Sequence, residues 1–229
     1  MSKILVPSRG LSDWRRLLAD PQKHWRAGFS AMAAARSWEA ADGLPSEIAK
    51  ILGAQADLIF AIPEHKVPLP GGRRESQCDV FALVRVAERT VALAVEAKVA
   101  EPFDRTIGAW LADGSAGKQR RLAAICEILG CPEPPPDLRY QLFHRTAAAV
   151  VEARRMNASA AAMIVHSFSG EHRWFEDFAA FCGFLGLKAV RSVPLMHNLP
   201  DGRELILGWA TGNQRYLAEG TSDGPEAAP

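Results

Sequence analysis

The chain has 229 residues, 48% hydrophobic and 23% charged, a balance that suits a globular protein with one sizeable core. Lys and Arg number 27 against 26 Asp and Glu, for a net charge of +1. That excludes a global field drawing the protein onto nucleic acid or a membrane, so any such binding must use a local patch. The opening MSKILVPSRG lacks the long apolar core of a signal peptide, and no stretch approaches the roughly eighteen apolar residues of a membrane span. Cys78, Cys126, Cys131 and Cys182 form no CxxC pair. No membrane partner, no zinc cluster and a cytoplasmic location with reduced thiols are therefore expected.

Residues 11–40 read as an N-terminal helical extension, with a break at Asp20-Pro21. Trp14, Trp25 and Trp38 in this stretch are expected to pack rather than to stack on bases. DGLP at 42–45 is a breaker, and SEIAKIL after it is a short helix carrying Glu47. ADLIFAI at 56–62 reads as a strand and PEHKVPLPGG as a Pro/Gly-rich loop. Strands over 77–86 and 91–99 follow, joined by AERT. Next come an amphipathic helix over 117–129, stopped by CPEPPP, and a long helix over 137–157. AAAMIVHSF is an apolar strand and RWFEDFAAFCGFLG another helix. KAVRSVPLM and RELILGWAT close the chain as strands around NLPDG, and the polar tail 219–229 is expected to be disordered. A meander followed by crossovers through helices predicts an α/β fold: a mixed central sheet with helices on both faces. Residues 1–218 would form a single domain, the 11–40 extension added to a core over 45–212.

The central hairpin carries charges where an apolar core is expected. Side chains alternate along a strand, so Ala92, Ala94, Glu96 and Lys98 share one face, and Asp79, Phe81, Leu83 and Arg85 share one face of the preceding strand. A two-residue turn at Glu88-Arg89, or a four-residue loop over 87–90, sets Asp79 opposite Lys98 and Phe81 opposite Glu96. Asp79 and Glu96 are then diagonal neighbours about 7–8 Å apart, close enough for two carboxylates to converge on one hard cation. A salt bridge between Asp79 and Lys98 accounts for two of the charges but leaves Glu96 without a partner.

Asp79, sixteen intervening residues, then Glu96-Ala97-Lys98 resembles the PD-(D/E)XK signature of restriction-endonuclease-like nucleases. Cys78 stands where the signature has proline. The resemblance implies an αβββαβ core, which matches the order from the Glu47 helix to the 160–168 strand. It also implies that Asp79 and Glu96 hold Mg²⁺ (or Mn²⁺), that Lys98 positions or activates the attacking water, and that Glu47 assists from the first core helix. Some of these nucleases carry a glutamine on a helix after the lysine strand, and Gln141 is a loose match. The whole chain is also similar to a family of uncharacterised bacterial proteins, through HWRAGFSA, VEAKV and LRYQLFHRTAAAVVEA.

Lys118, Arg120 and Arg121 sit in a helix's first turns, against its dipole, which marks them as candidates for phosphate contact. Arg73 and Arg74 form a second such patch. Gln141 and Arg145 lie four apart on one helix face. His144 is either a proton shuttle or a structural histidine, and His166 in HSFSG, which is no nucleophile elbow, is expected to be structural. GSAGK lacks the spacing of a phosphate loop. These residues imply a metal-dependent phosphodiesterase acting on nucleic acid, with DNA the first choice. The alternative is a non-catalytic binding or interaction protein on the same fold, favoured by the near-neutral charge. In that reading residues 11–40 cover the cleft or form a homodimer.

Overall fold

A computed structural model describes residues 10–18 and 20–218. Helices α1 (Leu11–Leu17), α2 (Pro21–His24), α3 (Ser30–Ala40) and α4 (Ser46–Leu52) precede strands β1 (Ala56–Val67), β2 (Ser76–Val86) and β3 (Arg89–Lys98). Helices α5 (Ile107–Leu111), α6 (Ala116–Leu129) and α7 (Tyr140–Arg155) lead to β4 (Ala160–Ser167). Helix α8 (Phe175–Phe184), β5 (Leu195–Asn198), β6 (Glu204–Thr211) and a 3-10 turn over Gln214–Leu217 complete the order. The protein is thus a mixed α/β fold. Its six strands run β1-β2-β3-β4-β6-β5, with β3, β4 and β6 parallel and the outer pairs antiparallel.

Both faces of the sheet are covered, as parallel strands require. Ala92 and Ala94 of β3 and Met163 and Val165 of β4 face a core built with α6, α7 and α8. Val91, Leu93, Val95, Ala162 and Ile164 face a second core with Ile48, Ile51 and Leu52 of α4 and with Trp14 and Trp38. The tryptophans therefore pack: Trp14 and Trp38 are buried, and Trp25 packs at the edge of that core. Helix α3 brings Ala33 and Ala34 against Ala97 and Phe168. The N-terminal helices so lie on the sheet face opposite α7, and they do not cover the α7-side face that carries Glu96 and Lys98.

Several boundaries move for physical reasons. β1 continues past Ile62 through Pro63 to Val67, where a loop was expected. An edge strand tolerates a proline because its missing N–H faces no neighbour. The expected 188–196 strand shrinks to Leu195–Asn198, after a turn with Ser192 at φ 60°. IGAWL forms a helix of five residues, capped by the Thr106 hydroxyl, too short to show a period. Among the described residues no helix is long and apolar enough to cross a membrane. The tail over 219–229 lies outside the described residues.

Candidate functional site

The hairpin register differs from expectation by two residues. Val86 pairs with Arg89 across a two-residue turn, Ala87-Glu88, with Ala87 at φ 52°. Glycine or asparagine usually marks such a left-handed turn residue, and neither is present. A shift of two leaves Phe81, Glu96 and Lys98 on their expected face, but the alternation of β2 slips beside Asp79, where Cys78 joins the α7-side core with Phe81 and Val80 the opposite one. The ladder between β2 and β3 ends at Val80–Val95. On either side, pairing continues: β1–β2 runs to Val67–Ser76 and β3–β4 to Lys98–Ser167. β2 and β3 thus fork, and the carboxylate of Asp79 fills the fork, its Oδ2 accepting from the Ala97 N–H at 2.6 Å.

Glu96, buried on the α7 side, is the centre of the site. Its Oε1 accepts from Lys98 Nζ at 2.6 Å and from Gln141 Nε2 at 2.7 Å, and its Oε2 from Arg145 Nε at 2.5 Å. Burial alone would raise its pKa, but Arg145 and Lys98 outweigh that and hold it down to about 2. Lys98 therefore pairs with Glu96, not with Asp79 as the salt-bridge alternative supposed. Asp79 moves the other way: burial, then Glu96, then Glu64 raise it well above the usual carboxylate range.

Glu64 was legible only as a loop residue. It falls between the pairs Pro63–Val80 and His65–Cys78, directly across from Asp79. Its φ is 53°, and the strand's alternation slips there. Phe60 and Ile62 before it and Val67 after it all pack on the α7-side core. Gln77 Nε2 donates to its carboxylate at 2.6 Å. Burial, opposed by Gln77 and reinforced by Glu96, pushes Glu64 up to about 7. Nothing in the local sequence signals this conformation, which costs a non-glycine residue roughly 1–3 kcal/mol and clusters at functional sites.

Glu47 does not join Asp79 and Glu96. It lies in the first turn of α4, and its Oε1 is 2.8 Å from Nε2 of the fully buried His166. His166 shares the parity of Ala162 and Ile164 on β4, so this pair occupies the sheet face away from α7. Burial raises the Glu47 pKa, but His166 outweighs it and the net shift is downward. His166 is structural, as expected, with Glu47 as its partner.

Helix α7 supplies the other face of the site. Gln141 is fixed from both ends, its Oε1 accepting from the Asp104 N–H and its Nε2 donating to Glu96. Arg145 Nη1 donates to Ser76 Oγ at 3.1 Å. His144 Nδ1 lies 2.8 Å from the same hydroxyl, and burial together with Arg145 pushes its pKa well below the usual range; it also lines the cavity beside Glu96.

Next to Glu96 opens a cavity of about 700 Å³ whose walls include Arg73, Arg74, Lys118, Arg121, Gln141 and Arg145. All six residues expected to contact substrate thus line one space. Five are cations, and the carboxylates beside them are Glu75 and Asp104. These side chains make a local cationic patch on a near-neutral chain. The cations differ in freedom. Arg121 is buried, donating to the carbonyls of Arg74 and Leu69. Gly71 lies so close to it, at φ 83°, that a Cβ would stand 2.5 Å from Arg121 Cα. Arg121 thereby pins the 69–74 loop to α6. Lys118 Nζ is held by Asp113 and the Trp110 carbonyl, both at 2.6 Å. Arg73 and Arg74 are exposed, and among the described residues neither guanidinium is paired.

The donor set matches a hard divalent cation in kind. Asp79 uses one oxygen on Ala97 N–H, and Glu96 accepts three donors where a carboxylate offers about four lone-pair positions. Burial, with the neighbouring carboxylates adding to it, raises Asp79 and Glu64, and a nearby cation would oppose both shifts. Among the described residues, however, no group of three or more His, Cys, Asp and Glu side chains is arranged to hold a metal ion.

No curated protein and no solved structure gives a match to the chain. The family described as "Domain of unknown function (DUF6946)" matches residues 7–214, and the chain belongs to that family.

Proposed function

We propose that the protein is a metal-dependent phosphodiesterase acting on nucleic acid, with DNA the first substrate to test. One observation carries the reading: Asp79 sits in the β2–β3 fork on the amide of Ala97, next in sequence to Glu96, and Glu96 is tied through Gln141 and Arg145 to a cationic cavity. Asp79, Glu96 and the Ala97 carbonyl would hold Mg²⁺ or Mn²⁺. When bound, the ion lowers the pKa of a water and offsets charge on the phosphate. Lys98, buried beside Glu96, would orient that water or a phosphoryl oxygen. Arg73, Arg74 and Arg145 bind the phosphate backbone. Helix α4, three strands, the α6–α7 helices and β4 follow the order of the restriction-endonuclease-like core, which supports the resemblance in Asp79, Glu96 and Lys98. Four free thiols suit a cytoplasmic setting.

A second reading, nucleic-acid binding without turnover, is favoured by the three donors already closed around Glu96. The test is a cleavage assay on labelled single- and double-stranded DNA and RNA with Mn²⁺ or Mg²⁺, beside Lys98→Ala and Asp79→Asn. Cleavage by the parent, lost in both variants and in chelator, supports the enzyme. Binding with no cleavage of any substrate supports the second reading.

A further inference from the structure

Glu96 and the cavity share two side chains. Gln141 and Arg145 are both donors to Glu96 and part of the cavity wall. Arg145 spends Nε on Glu96 and Nη1 on Ser76, while Nη2 has no protein partner among the described residues. A guanidinium in that state can trade one carboxylate contact for a phosphate, which it grips with two parallel hydrogen bonds. Such an anion would be attracted into this cavity. Among the described residues Arg73 and Arg74 are unpaired there, and they sit on a loop that Arg121 fixes in place.

Two cations also stand against Glu96, Lys98 Nζ at 2.6 Å and Arg145 Nε at 2.5 Å. A divalent ion approaching the same carboxylate meets their repulsion and has one lone-pair position left. Removing Arg145 from Glu96 relieves both obstacles at once. Lys98 has no such freedom, because it is buried with its ammonium against Phe103 and does not line the cavity.

We propose that the cavity takes a phosphate group on Arg73, Arg74 and Arg145, and that this draws Arg145 off Glu96, so that phosphate and divalent cation strengthen each other's binding. The inference rests on reading Asp79 and Glu96 as the cation site. Linkage makes the effect reciprocal: whatever factor the anion adds to cation affinity, the cation adds to anion affinity. Substrate would thus arm the site, and the free protein would hold little metal.

The experiment measures Mn²⁺ affinity of the full chain from the free-ion electron paramagnetic resonance signal. It is run without anion, with inorganic phosphate, and with a single-stranded pentanucleotide carrying phosphorothioate links, each anion also titrated without protein. The expected result is a gain of about 5- to 150-fold with anion present. A gain with both anions places the recognition in the phosphate group, and a gain with the pentanucleotide alone places it in a strand. Arg73→Ala/Arg74→Ala, two exposed changes, should cut the gain and return Mn²⁺ affinity toward the parent's anion-free value. Arg145→Gln should bind Mn²⁺ more tightly than the parent without anion and show no gain. Mn²⁺ bound equally with and without anion overturns the coupling alone. Mn²⁺ bound under no condition overturns the proposed function as well.

Discussion

Two carboxylates sit on opposite faces of the same sheet, and their settings differ. Glu47, on α4, meets His166 and the Ser46 hydroxyl at the interface of that helix with the sheet. Glu96 meets a lysine, an arginine and a glutamine, and beyond them lies a cavity. Both are pushed below their ordinary pKa, so ionisation alone does not separate them. What separates them is surplus: Glu96 has more donors than a structural carboxylate needs, and two of them border open space. Glu47, held by His166 and Ser46, has the setting of a structural pair, whereas a carboxylate crowded by donors beside a polar void is a candidate for chemistry.

The sharpest way to break this contrast is to delete each acid. Glu96→Ala strands two buried cations and should cost about 3–5 kcal/mol in urea denaturation. A loss below about 1 kcal/mol would make the Glu96 network energetically trivial. The next effect is metal-dependent. Mn²⁺ at a hundred times its dissociation constant should stabilise the parent by about 2.7 kcal/mol in thermal melts. Asp79→Asn should show no such gain, yet in chelator it should be at least as stable as the parent. The amide can still accept from Ala97 N–H, and a carboxylate raised by burial and by Glu96 is removed. A large metal-independent loss in Asp79→Asn would count against the cation site.

A smaller effect is set by pH. The folded pKa of Glu64, about 7, lies above its ordinary 4.5, so the folded state holds more protons between those values. Stability from this group is therefore present below about pH 4.5 and declines as pH rises through 7, by roughly 1–2 kcal/mol after allowing for partial exposure. Glu96 acts in the opposite sense, its contribution being lost as pH falls from 4.5 toward 2. Glu64→Gln should reduce the slope of the neutral limb, to which the raised Asp79 also contributes, and leave the acid limb, as read by denaturation midpoints across pH 3–9. The smallest effect is expected on the far face. Glu47→Gln keeps a hydrogen-bonding group beside His166 and should cost under about 1 kcal/mol, with no change in Mn²⁺ response.

The shared facing of Glu96 and Lys98 was legible because a strand's period of two survives any even error in register, whereas the slip in β2 between Cys78 and Val80, which leaves the Asp79 carboxylate in the fork, was not. The register itself was not, because Ala87 holds a left-handed turn conformation that alanine does not advertise. The cavity residues could be nominated singly from charge on helix faces, but their convergence depends on Arg121 pinning the 69–74 loop, a contact 52 residues apart in sequence. Glu64 was hidden twice, by a proline before it that reads as a loop and by a backbone angle rare for glutamate. Glu47 was placed on the right helix and matched to the wrong face, since only the packing of α4 against β4 decides which side its carboxylate meets.

The fork between β2 and β3 leaves Ala97 with an amide whose partner is a side chain instead of a neighbouring strand. Its proton therefore answers to Asp79 rather than to the sheet. In a two-dimensional nitrogen–proton spectrum that single cross-peak should move when Asp79 gains a proton or turns toward an ion, while the Val95 peak beside it, locked in the ladder, stays still. That cross-peak would report occupancy of the proposed cation site, readable without substrate and without turnover.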